Sequence, residues 1–188
     1  MSGLNRKEIS ILNSQFSIHM ISIIVAISEE NAIGQKGDLL CHMPADLKHF
    51  KEITQGHNVI MGKRTYYSLP ISKLTGTHAL PNRTNIVITD IAGETIEGAT
   101  MAYSIEEAQQ MVGADEEAFI IGGGMVYRQF EPLADKLYIT HMHHSFPEAD
   151  TFFPAIDPEK WMRVSEEHHE ADEKNPYPYT FAEYIRRS

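Results

Sequence analysis

Short runs of β-branched and aliphatic residues recur along the chain: ISIIVAIS at 21–28, NVIMG at 58–62, TNIVITD at 84–90 and AFIIGG at 118–123. Each is nearly continuously apolar, the pattern of strands covered on both faces in a mainly parallel sheet. Between them the apolar spacing predicts helices over 44–54, 63–69, 104–112 and 124–131, so strand and helix alternate as an α/β layer fold requires. Toward the C-terminus the pattern changes. KLYITHMHH at 136–144 and YPYTFAEYIRR at 177–187 alternate like antiparallel strands, and the spacing predicts a hairpin finishing one edge. The polar stretch EEHHEADEKNP at 166–176 reads as a solvated turn. The expected architecture is a single-domain α/β fold over 20–188, with a central mostly parallel sheet, an antiparallel C-terminal edge hairpin and helices on both faces. Residues 1–19 read as a flexible extension, and Met20 offers an alternative start.

A chain of 188 residues fits one domain and can bury a full core without disulfides. The longest apolar stretch, MISIIVAI at 20–27, contains a serine and is too short to cross a bilayer. A formal net charge of −10 opposes broad contact with nucleic acid or anionic membrane, so an anionic ligand needs a local basic site. One cysteine, Cys41, cannot form an internal disulfide and fits a reducing, cytoplasmic setting. Residues 1–19 also lack a continuous apolar signal core. The expectation is a cytoplasmic monomer with neither a nucleic-acid nor a membrane partner.

Three stretches carry candidate chemistry. IIGGGMVYRQF, residues 120–130, is a buried strand, three glycines and an amphipathic helix. Glycines there permit close approach by a ligand, and the helix start offers free N–H groups to phosphate, although tight strand-to-helix packing alone would use the same residues. VIMGKRTYYSL, residues 59–69, repeats the arrangement with Lys63, Arg64 and Thr65 in the first turn. Cations at that end oppose the helix dipole, a conflict that a bound anion resolves; plain surface cations are the alternative. In LLCHMPADLKHFKEI, residues 39–53, a helix opened by Pro44 places Asp46, Phe50 and Ile53 on one apolar face with Leu47 beside them. A carboxylate on such a face raises its pKa or finds a partner. A flat heterocycle with two adjacent N–H donors would satisfy both oxygens; capping of backbone N–H groups is the simpler alternative.

These residues carry a resemblance to a known family. Residues 20–187 resemble dihydrofolate reductase, because MISIIVAISEENAIG, MPADLKHFK, VIMGKRTYYSLP, LPNRTNIVIT, IIGGGMVYRQF, LYITH and DTFFP occur in that family's order. The resemblance implies NADPH-dependent reduction of 7,8-dihydrofolate to 5,6,7,8-tetrahydrofolate, with dihydrofolate and antifolate-like small molecules as ligands. It implies that Asp46 and Thr140 are the catalytic residues: Asp46 binds the amino side of the pterin and assists protonation at N5, and Thr140 hydrogen-bonds that carboxylate. It implies Ile24, Leu47, Phe50, Leu69 and Ile121 as apolar walls and Arg83 as the grip on the glutamate α-carboxylate. For NADPH it implies Gly122, Gly123 and Gly124 near the diphosphate with a cis peptide between the first two. Lys63, Arg64 and Thr65 fall at the phosphates, including the 2′-phosphate. Ala26 and Ile33 fall near the nicotinamide, and the loop NAIGQKGDLL at 31–40, with Gly34 and Leu39, closes over it. Thr89, Ile121, Met125, Val126 and Tyr127 complete the implied cofactor set.

Two departures stand out. Cys41 occupies the place of a usual tryptophan, where a small loop residue is expected rather than a nucleophile, and PISKLTGTHA at 70–79 lengthens the connection before LPNR. His143–His144 and His168–His169 suggest a metal, but neighbours on a strand point to opposite faces and chelate poorly, so no metal is expected. Two rival readings remain: a reductase of a ribosylated pyrimidine, and a folate or nucleotide binder without turnover.

Overall fold

The structure is a computed structural model that describes residues 19–114 and 116–188. The expectation for 1–19 therefore lies, apart from His19, outside the described residues. The strands are β1 (Met20–Ile27), β2 (Ala32–Gln35), β3 (Asp38–Leu39), β4 (Asn58–Gly62), β5 (Thr84–Ile88), β6 (Thr100–Ala102), β7 (Glu117–Gly122), β8 (Lys136–Met142), β9 (Thr151–Phe152), β10 (Trp161–His169) and β11 (Tyr179–Arg186). The α-helices are α1 (Pro44–Thr54), α2 (Lys63–Ser68), α3 (Ile105–Gln110) and α4 (Gly124–Phe130).

Eight strands form the main sheet in the order β10-β11-β8-β1-β7-β4-β5-β6, and a small sheet runs β3-β2-β9. From β8 to β6 every pairing is parallel; β11 is antiparallel to both β8 and β10. Alternation along the central strands sends side chains into two cores. Ile21, Ile23, Val25 and Ile27 of β1 join Ile60, Ile86 and Ile120 on the face covered by α3 and α4. Ile24 joins Val59, Met61, Val87, Phe119 and Ile121 on the opposite face, where Phe50 and Ile53 of α1 and Tyr66 of α2 pack. Helices thus cover both faces of a mostly parallel sheet, as the sequence pattern predicts.

The C-terminal edge carries the expected antiparallel pairing of β8 with β11 and one strand more than expected. β8 is an interior strand between β1 and β11, and the edge hairpin is β10–β11. Residues 166–169, expected in a solvated turn, pair with β11 from Glu166↔Ala182 to His169↔Tyr179. After buried Trp161, β10 is almost wholly exposed, so no apolar period marks it. The strand expected at 177–187 begins after Pro178, which lacks an N–H for the ladder. β6 and the small β2, β3 and β9 strands are two to four residues long, too short to show a period.

Candidate active site

The face on which α1 and α2 pack holds the candidate cleft. At one end Pro44 is the first residue of α1, and Met43 before it provides no side-chain cap. The free N–H of Ala45 donates instead to Asn175 Oδ1 at 3.0 Å. Asn175 is 5% exposed. Its side-chain amide donates to both carboxylate oxygens of Asp172 at 3.0 Å, and its backbone N–H donates to Asp172 Oδ1 at 2.7 Å. The segment read as a solvated turn therefore reaches back to fix the start of the helix that carries Asp46. Further along α1, His49 stacks on Phe181 with centroids 3.9 Å apart and planes at 14°. Phe181 lies opposite Thr140 in the β8–β11 register.

Asp46 projects from this anchored helix. Burial pushes its carboxyl above the usual carboxylate range, and a hydrogen bond with the Thr140 hydroxyl partly offsets the shift. Thr140 itself is buried on β8. The carboxylate's field reaches its neighbours. Burial first and Asp46 second push the Cys41 thiol upward, which keeps it protonated and makes it a poor nucleophile. The same two causes raise the Tyr127 phenol, whose hydroxyl donates to the Ile24 carbonyl at 3.0 Å. Cys41 Sγ also lies 3.5 Å from Met142 Sδ. Ile24 and Ile121 are buried beside this end, and Ala26 packs with Met43 and Met142.

Along the cleft, Phe50 and Leu69 pack against the second core, while Leu47 is 42% exposed. Arg83 is aimed by three donations: Nε to Thr54 Oγ1 at 2.8 Å, Nη1 to the Pro81 carbonyl at 2.8 Å, and Nη2 to the Lys51 carbonyl at 3.3 Å. Its guanidinium carbon sits 5.8 Å from the Phe50 ring centre. Among the described residues it forms no salt bridge, although burial lowers its pKa. A partly buried guanidinium with neutral acceptors suits an incoming carboxylate.

At the other end, β4 and β7 are sheet neighbours, with Met61 opposite Gly122, so the openings of α2 and α4 lie side by side. The glycines there leave little room for a side chain. A Cβ on Gly62 would lie 3.2 Å from Val126 Cγ2, one on Gly123 3.3 Å from Thr65 Oγ1, and one on Gly124 2.8 Å from Thr151 Cγ2. Gly122 has φ +121°, open to glycine alone, and its peptide to Gly123 is cis. The hairpin of β2 and β3 lies over this end. A Cβ on Gly37 would approach Arg64 Nη2 to 3.3 Å, and Ile33 Cδ1 lies 3.8 Å from the corresponding point on Gly124. The Asp150 carboxylate accepts from the Lys36 N–H at 2.7 Å and is held below its usual range by that bond, by Thr151 and by Arg64. Gly34 of β2 has no room for a Cβ, which would meet the Asp38 carbonyl at 2.9 Å. Lys63 meets the carboxylate of Glu94, which also accepts from Thr89 Oγ1 at 2.6 Å.

This end fits a dinucleotide: two adjacent glycine openings allow close backbone approach, and Lys63, Arg64, Thr65 and Thr89 supply cations and hydroxyls for phosphates. Leu39 and Met125, expected at the cofactor, are exposed and belong to neither core. The dihydrofolate reductase family model matches residues 20–186. The chain belongs to the dihydrofolate reductase family. It is 41% identical to the dihydrofolate reductase of Bacillus subtilis strain 168 over 90% of this chain and 96% of that one. It is 37% identical to the Staphylococcus haemolyticus dihydrofolate reductase over 91% and 98% of the two chains. The solved dihydrofolate reductase of Enterococcus faecalis, complexed with NADP(H) and RAB-propyl, is similar with a TM-score of 0.78 and 35% identity, covering 90% of this chain and 97% of that one.

Asn175, Phe181 and Glu94 carry no motif that marks them in the sequence. Each acts across a long stretch of chain and lies in a segment without periodicity or at an apolar position with many uses; only the contact itself reveals it. The histidine pairs meet across strands rather than along them. His143 Nε2 and His168 Nδ1 share the Thr180 hydroxyl, at 2.8 and 3.1 Å, in a groove of about 1180 Å³ on the opposite face of the sheet. Among the described residues no group of three potential metal ligands converges.

Proposed function

We propose that this chain is an NADPH-dependent enzyme that reduces 7,8-dihydrofolate to 5,6,7,8-tetrahydrofolate and so supplies one-carbon metabolism. What supports the residue assignment is the Asp46 carboxylate, raised by burial and hydrogen-bonded to Thr140, together with a sheet whose β4 and β7 set two glycine openings side by side. When bound, NADPH supplies the hydride that the pterin C6 receives. Lys63, Arg64, Thr65, Thr89 and the turn of Gly122, Gly123 and Gly124 would hold its phosphates, and Ala26, Ile33 and Ile121 would take the nicotinamide.

Asp46 binds the two adjacent N–H donors of the pterin and, through its charge, favours the ring protonated at N5. Thr140 orients that carboxylate. A water entering the cleft delivers the proton to N5, which balances the hydride added at C6. The walls of Ile24, Leu47, Phe50, Leu69 and Ile121 exclude water from the ring, and Arg83 receives the substrate's tail carboxylate. The same cleft takes antifolate-like heterocycles. The protein acts as a cytoplasmic monomer without nucleic-acid or membrane partners; among the described residues no helix is long and apolar enough to cross a bilayer.

The test is NADPH oxidation by the purified protein on addition of dihydrofolate, repeated with Asp46→Asn. Turnover by the parent is expected, with a loss of about 10²- to 10⁴-fold in hydride transfer in the variant at neutral pH. The loss should shrink in acid, where substrate arrives already protonated. Unchanged neutral turnover in Asp46→Asn would remove Asp46 from the mechanism, and binding of both ligands without oxidation would select the non-enzymatic reading.

A further inference from the structure

Lys63 and Thr89 come from different elements, the start of α2 and the end of β5, yet one side chain satisfies both. Glu94, in the loop between β5 and β6, places one oxygen against the Lys63 ammonium and accepts the Thr89 hydroxyl on the other at 2.6 Å. The loop is folded to hold it there: Ile91 N–H donates to Thr89 Oγ1 at 3.2 Å, and Glu94 N–H donates to the Ile91 carbonyl at 3.2 Å. Tyr103 Oη reaches the Glu94 carbonyl at 3.5 Å. The side chain of Glu94 is 19% exposed and that of Lys63 36%, so the carboxylate sits in a half-enclosed seat with the cation at its mouth.

A carboxylate bridging an ammonium and a hydroxyl uses the same donors that a phosphate monoester would use. Both anions cannot occupy the seat, because the second would meet a like charge at van der Waals distance. We infer that Glu94 is an internal competitor for the extra ribose phosphate of the cofactor, and so a residue that sets the discrimination between NADPH and NADH. This inference rests on the proposed assignment of Lys63 and Thr89 to that phosphate. A cofactor with a free ribose hydroxyl leaves the Glu94 contact in place and meets an acceptor there. A cofactor with a phosphate must displace Glu94 and break its contacts with Lys63 and Thr89. The acid therefore lowers affinity for NADPH selectively, so the preference for NADPH is smaller than the cation alone would give.

The experiment is equilibrium binding of NADPH and of NADH, read by cofactor fluorescence without substrate, to the parent chain, Glu94→Gln, Glu94→Ser and Lys63→Met. Glu94→Gln and Glu94→Ser should each bind NADPH about tenfold more tightly, with NADH changed by less than about threefold. Unchanged or weaker NADPH binding in folded Glu94→Gln and Glu94→Ser overturns the inference, as does an equal gain for NADH. Lys63→Met reads the underlying assignment separately: it should weaken NADPH and spare NADH. If it spares both, the phosphate seat itself is misassigned; if it behaves as expected while the Glu94 variants gain nothing, the competitor role alone falls.

Discussion

At one end of the cleft Asp46 sits partly buried, its carboxyl raised by burial and answered by one hydroxyl from Thr140; at the other, Lys63 lies partly in solvent with Glu94 against it. Among the described residues the acid forms no salt bridge, and it keeps its charge only against a desolvation penalty. The cation has a carboxylate partner that can leave, because the pair is only partly enclosed and solvent reaches the ammonium. A partly buried charge without a salt-bridge partner favours a ligand that brings hydrogen-bond donors and a proton. A paired, half-exposed charge favours a ligand that replaces its partner. Arg83 stands between the two: partly buried like Asp46, aimed by neutral acceptors, and without a carboxylate among the described residues.

Arg83 gives the sharpest test of that difference. Removing a charge-assisted contact costs about 1.5–3 kcal/mol, so Arg83→Ala should weaken dihydrofolate binding roughly 10- to 100-fold and spare a tail-less diaminopyrimidine. Equal losses for both ligands would move Arg83 out of the tail site. The acid end can be tested through stability. Because burial raises the Asp46 pKa above its ordinary 3.8, its ionised form costs stability at neutral pH, and that cost disappears as pH falls through the raised value. Asp46→Asn should therefore melt a few degrees higher than the parent near pH 7, with the gap closing in acid. A lower melting temperature at neutral pH would mean that the carboxylate is well compensated by the fold.

The smallest expected effect concerns how the acid is held. Asn175→Ala removes the remote cap on Ala45, a loss of about 1 kcal/mol, visible as about 2–4 °C in melting temperature. If Asn175 also orients α1 for the pterin, the variant should lose dihydrofolate affinity while binding NADPH as before. Loss of both affinities together would make Asn175 a general stabiliser of the fold.

Much of this arrangement was legible before any coordinates. Continuous apolar runs place β1, β4, β5 and β7 inside a parallel sheet, and Pro44 followed by Asp46, Phe50 and Ile53 places an acid on the inner face of α1. Glycines before α2 and α4 mark close approaches that the packing around Gly62, Gly123 and Gly124 requires. At the C-terminal edge the antiparallel pairing of β8 with β11 was legible, but β10 was not, because it is exposed on nearly its whole length and carries no apolar period. Nor was the reach of Asn175, since a polar residue in a polar segment looks solvated until its partner 130 residues away is known.

Local periodicity and backbone chemistry, written in the sequence alone, determined the central strands, the helix starts and the identity of the charged groups at each end of the cleft. Only the tertiary structure decided which charge stays unpaired and which is answered. Pairing depends on distances between segments far apart in the chain. Lys63 meets Glu94, Ala45 meets Asn175 and Arg83 meets Thr54 because the sheet brings their loops together, and no local pattern encodes those separations.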